Sequence, residues 1–221
     1  SGDVTSPAPI VPPPDEGSWA YLVHWTRRQS GPWPDQDEEA YLHELFFDFC
    51  RADRSALAAL TRIVTMERIL ATRRLIRGAF DVVCFGQRCL GDLAQRRVFR
   101  KHHQRWDFEL YGLCIDRQWL VDRNTRPVIY GDDITWERIS PEERPFFQLR
   151  ATRPSPTRAR IDWSDEQEWR HRGDLDLHRL SDSLGLIFVP TDHAAREIAR
   201  VSRWPVTVIN EETAEGTTRS R

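Results

Sequence analysis

The chain has 221 residues, 30% of them charged, and a formal net charge of −2. That length suits one domain with a buried core, and the near-neutral balance is not that of a dedicated nucleic-acid binder. No run of about 18 apolar residues occurs, so no helical membrane span is expected.

Residues 1–17 hold Pro7, Pro9, Pro12, Pro13 and Pro14, and read as a flexible or polyproline arm. The opening "SGDVTSPAPIVPPPDEG" has neither a basic stretch nor an apolar one, so no signal peptide is expected and the expected compartment is the cytoplasm. "WAYLVHWT" predicts the first strand, and "GPWP" breaks the chain after it. "DQDEEAYLHELFFDFCRA" predicts a helix capped by Asp35, with Leu42, Leu45, Phe46 and Phe49 at helical spacing. A second helix is predicted in "SALAALTRIVTMERILAT", starting near Ser55, with Leu57, Leu60, Ile63, Val64 and Leu70 on one stripe.

"FDVVCF" then reads as a short buried strand and "LGDLAQRRVFRKH" as a polar helix. "FELYGLCID", "RPVIYGD", "EWRHRGDLDL", "LGLIFVP" and "WPVTVIN" each read as strands, the last two flanking a helix in "TDHAAREIARVS". The expected fold class is α+β, with small mixed or antiparallel sheets and helices packed at the N-terminal side. The expected organisation is an arm over 1–17, a single domain over 18–210 and a flexible tail over 211–221.

Several enzyme classes lack their residues. Lys101 is the only lysine and follows Arg100, so there is no Walker A G-K-S/T and no lysine for a restriction-nuclease core. No G-x-G-x-x-G and no G-x-S-x-G occurs, which removes the dinucleotide fingerprint and the hydrolase nucleophile elbow. The four cysteines, Cys50, Cys84, Cys89 and Cys114, form no C-x-x-C pair. They read as free thiols in a reducing compartment, and His102 and His103 are adjacent and would diverge on a helix, so no metal site is expected.

Charge is uneven along the chain. Residues 62–105 carry 11 basic and 3 acidic side chains, and residues 35–54 carry 7 acidic and 2 basic. The segment "RATRPSPTRAR" adds Arg150, Arg153, Arg158 and Arg160 without an acid. These arginines either solvate the surface or face phosphate, which their forked donors match.

Three features carry candidate chemistry. His24 lies near the end of a predicted apolar strand, beside Thr26, where side chains often line clefts. Glu166 and Glu168 stand two apart in "SDEQEWR", so on a continuous strand they share a face. Two adjacent carboxylates repel on a plain surface; in a cleft they could stabilise a developing positive charge and accept a proton. Tyr111 beside Gly112 is either a core tyrosine at a bend or a platform for a flat ring.

In order, these features resemble the ADP-ribosyltransferase superfamily. "LVHWT" resembles the H-G-S/T strand, "ALTRIVTMERILAT" with "RRLIRG" the segment after it, "VVCF" the next short strand, and "EQE" the E-x-E pair. From "VVCF" through "YG" to "EQEWR" the chain is also similar to uncharacterised bacterial proteins associated with phage defence. The resemblance implies an ADP-ribosyltransferase-like fold and NAD as cofactor. His24 would hold a ribose hydroxyl with Thr26 beside it, and Tyr111 would stack on nicotinamide. Glu168 would bond the nicotinamide-ribose hydroxyl and Glu166 would position the acceptor. Arg150, Arg153, Arg158 and Arg160 would read a phosphate-bearing target. The implied activity is ADP-ribosyl transfer to nucleic acid or a nucleotide in a toxin or antiviral setting, with a neutralising protein as a further partner. Trp25 stands where H-G-S/T has glycine, which leaves open a non-catalytic binding or sensing module on the same fold. A metal-dependent nuclease using Asp162, Glu166 and Glu168 is the third alternative.

Overall fold

The computed structural model describes residues 6–48, 50–74, 76–95, 99–100, 105–106, 109–150 and 167–209, without the side chains of 93–95, 99–100 and 105–106. The strands are β1 (Tyr21–Trp25), β2 (Arg68–Ile69), β3 (Val82–Gly86), β4 (Phe99–Arg100), β5 (Arg105–Trp106), β6 (Gly112–Asp116), β7 (Arg126–Pro127), β8 (Ile129–Gly131), β9 (Phe147–Leu149), β10 (Glu168–Arg172), β11 (Leu175–Asp176), β12 (Gly185–Val189) and β13 (Val206–Val208). The helices are α1 (Glu38–Phe47), α2 (Ala56–Met66), α3 (Leu90–Gln95), α4 (Arg117–Val121), α5 (Asp133–Arg138) and α6 (Asp192–Ala199).

The fold is α+β, but one sheet dominates in place of the small sheets expected. Seven strands run in the order β13-β12-β6-β1-β3-β10-β7, and every neighbour pairing in it is antiparallel except β12 with β13. β2–β11, β4–β5 and β8–β9 form two-stranded ladders. Nor are the helices confined to the N-terminal side, because α3 to α6 alternate with strands along the rest of the chain.

Alternation along the central strands divides the side chains between two faces. Leu22, Val83, Phe85, Leu113, Ile115 and Ile187 build the main core with Leu60 and Val64 of α2 and Ala195 and Ile198 of α6. Val23, Cys114, Leu186 and Phe188 point the other way, into a smaller cluster with Leu90, Leu110 and Ile209.

Both core helices are fixed by their starts. The Ser55 side chain accepts from the Ala58 N–H, and the Thr191 side chain accepts from the Ala194 N–H. α1 differs. Its cap is Asp37, which accepts from the Ala40 N–H, while Asp35 pairs with Arg62 at 2.7 Å. No α1 residue is buried, and Leu42, Leu45, Phe46 and Phe47 are exposed. The helix is instead held by its other side, where Glu44 meets Arg54 at 2.7 Å and the Arg54 guanidinium lies over Tyr41.

The proline-rich start is not a free arm over its described part. Ala8 donates to the Ala199 carbonyl, Val11 donates to the Val206 carbonyl, and Pro9 accepts from the Val206 N–H. Ile10 bridges Val206 in parallel. Prolines lack the donor an inner strand needs but suit an edge, where Ala8 and Val11 supply the donors between them. The tail over 211–221 lies outside the described residues.

Candidate functional site

His24, Thr26 and Tyr111 come together on the main-core face. β1 and β6 pair His24 with Leu113 and Trp25 with Gly112, and the Thr26 N–H continues the ladder by donating to the Tyr111 carbonyl at 2.8 Å. Gly112 is required there: a Cβ would run into the His24 carbonyl oxygen and the Phe188 ring. The buried Thr26 hydroxyl donates to the Ala56 carbonyl at 2.7 Å, tying the end of β1 to the start of α2. Tyr111 is half-buried against the main core, and loss of water, then the charges of Glu109 and Glu197, push its phenol up.

His24 is half-buried. Its Nδ1 lies 2.9 Å from the Cys84 carbonyl and its ring 5.7 Å from that of Phe85. Burial holds the imidazole below the ordinary histidine range; the bond to Cys84 works against this and the charge of Arg27 adds to it.

Glu168 belongs to the opposite face. Val23 and Glu168 are both directly opposite Gly86, so Glu168 shares the side of Val23. The residue facing the His24 side is Trp169, opposite Phe85 in β3. The carboxylate is also engaged, since Glu168 Oε1 accepts from Arg170 Nε at 2.9 Å. Arg170 is 1% exposed, and its guanidinium donates further to the carbonyls of Pro145 (3.2 Å) and Phe147 (2.8 Å) and to Gln148 Oε1 (2.6 Å). Cys84, opposite Arg170, responds to this pair. Desolvation first and the Glu168 charge second push its thiol up to about 12, although part of the residue reaches solvent.

The expectation that the glutamate face looks toward His24 is therefore corrected, and register is the reason. The two-residue rule also stops at Gln167, whose φ of 46° takes the backbone out of strand conformation just before β10. Glu166, Asp162, Arg153, Arg158 and Arg160 lie outside the described residues. Arg150 is exposed, and its N–H donates to the Gly131 carbonyl at 2.8 Å. NAD held between His24 and Glu168, as the resemblance lays it out, does not fit two side chains on opposite sides of a sheet.

Residues that sequence reasoning missed surround Glu168. An open cleft of about 330 Å³ at the start of β10 is lined by Gln87, Val128, Tyr130, Gln167, Glu168 and Trp169, with Pro127 beside them. The Trp169 indole N–H donates to Gln87 Oε1 at 3.0 Å. The opposite charges of Glu168 and Arg170, two apart on a strand, were the available signal for their pairing. A second cavity, of about 500 Å³, lies between α1 and α2 and is lined in part by Trp33, Glu44, Leu57, Arg62 and Glu197. Its charges are largely spent internally, Glu44 on Arg54 and Arg62 on Asp35. Among the described residues no group of three His, Cys, Asp or Glu side chains is placed to hold a metal, and no helix is long and apolar enough to cross a membrane.

No protein-family model, no curated protein and no solved structure matches the chain.

Proposed function

We propose that the chain is a nucleotide- or nucleic-acid-binding module whose binding surface is the cleft at the start of β10. The observation that carries this reading is the placement of Glu168. It is held by Arg170 on the face away from His24, yet it lines a cleft that also presents Trp169, Tyr130 and Gln87. Aromatic walls with a few polar groups are what a flat, hydrogen-bonding ring requires, and the volume is at the small end of ligand sites. In the sequence, Arg150, Arg153, Arg158 and Arg160 precede this strand, and their forked donors match phosphate.

The rival proposal is ADP-ribosyl transfer from NAD. One observation favours it: His24, Thr26 and Tyr111 share one face at one end of the sheet. One experiment separates the two. Purified protein is titrated with nucleoside monophosphates and short single strands by calorimetry, and incubated in parallel with labelled NAD. Saturable binding without transfer of label supports the module. Label incorporated into protein or nucleic acid, and lost in Glu168→Gln, supports the transferase instead. Neither binding nor label removes both.

A further inference from the structure

Beyond the nucleotide reading, we infer that the outward face of α1 is a docking surface for a basic amphipathic helix of a partner protein. α1 is mounted the reverse of an ordinary surface helix, which turns its apolar side inward. Its polar side faces the body: the buried Arg54 guanidinium donates to Glu44 at 2.7 Å and to Gln36 at 3.0 Å, and lies over Tyr41 and Trp33. That grip leaves Leu42, Leu45 and Phe46 exposed, three and four residues apart and so neighbours on one side of the helix. Phe47 extends the patch, its ring 6.4 Å from that of Phe46 and 5.0 Å from that of His43. Phe46 and Phe47 are 70% and 76% exposed, the most open large apolar side chains among the described residues. A contiguous apolar patch of this kind marks an interaction surface.

Charge decides what covers it. Most carboxylates around α1 are engaged: Asp35 with Arg62, Glu44 with Arg54, Asp48 with Arg51, and Asp37 with the Ala40 N–H. Glu38 and Glu39 are exposed and form no ion pair with a described residue, and α1 contains no lysine or arginine. They precede Leu42 by one helical turn, so both free carboxylates sit at one end of the apolar stripe. A second copy docked α1 to α1 would join two segments that each carry 7 acidic and 2 basic side chains over residues 35–54. An anionic lipid surface meets the same repulsion. A helix with apolar residues at three-and-four spacing and lysine or arginine beside them matches both features, apolar to apolar and cation to carboxylate.

The full chain is titrated into a fluorescent leucine–lysine peptide of about 18 residues, long enough to form a helix alone, and anisotropy is read. The peptide with leucines at helical spacing should saturate, and its affinity should fall as salt is raised. A peptide of the same composition with the stripe scrambled, and one with glutamate for lysine, should each bind about tenfold or more weakly. Leu42→Ala with Phe46→Ala should weaken the striped peptide about tenfold or more. Glu38→Lys with Glu39→Lys should weaken it and strengthen the glutamate peptide. All four positions are exposed, so the thermal unfolding temperature should stay near that of the parent. Equal binding of striped and scrambled peptides, or no effect of either double variant, overturns the inference, as does no binding at millimolar peptide. Concentration-dependent dimerisation of the chain alone, abolished by Leu42→Ala with Phe46→Ala, makes the occupant a second copy and overturns it too. Flotation with phosphatidylcholine vesicles that the same variant abolishes makes it a lipid surface, with the same consequence.

Discussion

The two faces of the central sheet handle buried polar groups in different ways. On the His24 face each group has its own short bond: His24 to the Cys84 carbonyl, Thr26 to the Ala56 carbonyl. On the Glu168 face one buried guanidinium collects four acceptors, drawn from β10, from β9 and from the turn before it. Single bonds can be lost one at a time. A shared hub cannot be removed without orphaning everything around it, so the two faces should differ in how much one substitution costs.

The largest effect is expected at the hub. Arg170→Met fits the same space but leaves the Phe147 carbonyl, the Gln148 side chain and the Glu168 carboxylate without their donor. A loss of about 3–5 kcal/mol is expected, read from urea unfolding. Arg170→Lys keeps the charge but not the fork, and should fall between parent and Met variant. A loss for Met no larger than that of a surface substitution would mean that the guanidinium organises nothing, and the contrast between the faces would collapse.

The next effect tests the other face. Thr26→Val keeps the branched shape and deletes the donor to the Ala56 carbonyl, with about 1–2 kcal/mol expected. Because the two sites share no partner, the double variant with Arg170→Lys should be additive to within about 0.5 kcal/mol. Coupling beyond that would show that the sheet transmits strain between its faces.

The faces were only partly legible in the sequence. Apolar runs with β-branched and aromatic residues located β1, β3, β6, β12 and β13, a cap with a helical stripe located α2, and α6 was read between the two last strands. Those signals are local. Which strand lies beside which, and in what register, depends on contacts far apart in sequence, so spacing alone could not show that Val23 and Glu168 meet across Gly86. The same limit explains α1. Its stripe of Leu42, Leu45 and Phe46 has the period of a buried face, yet Arg54, held through Glu44 and Tyr41, turns that stripe outward. Proline content suggested an arm because composition does not reveal the open edge of β13 that receives residues 8–11. The cleft was missed because Gln87 and Tyr130 stand alone in the sequence and gain meaning only beside Trp169.

The smallest effect is expected from titration on the His24 face. Burial is the leading cause that holds His24 low, and the same is true of His171, whose Nδ1 lies 3.2 Å from the Thr125 hydroxyl. The backbone of Asp174 works against that shift in His171, and the charge of Arg123 adds to it. Both groups therefore take up protons more readily in the unfolded chain, where an ordinary histidine titrates near 6.5. Stability from these two sites is complete above about pH 6.5 and declines as the pH falls from there toward the folded values. His24→Gln keeps a donor for the Cys84 carbonyl and cannot titrate. It should flatten the decline between roughly pH 6.5 and 5.5, above the range where carboxylates begin to contribute. Arg170→Lys lies on the other face and should lower the whole curve without changing its slope in that window. If Arg170→Lys alters the slope and His24→Gln does not, the titrating group is on the Glu168 side, and the division of labour between the faces is reversed.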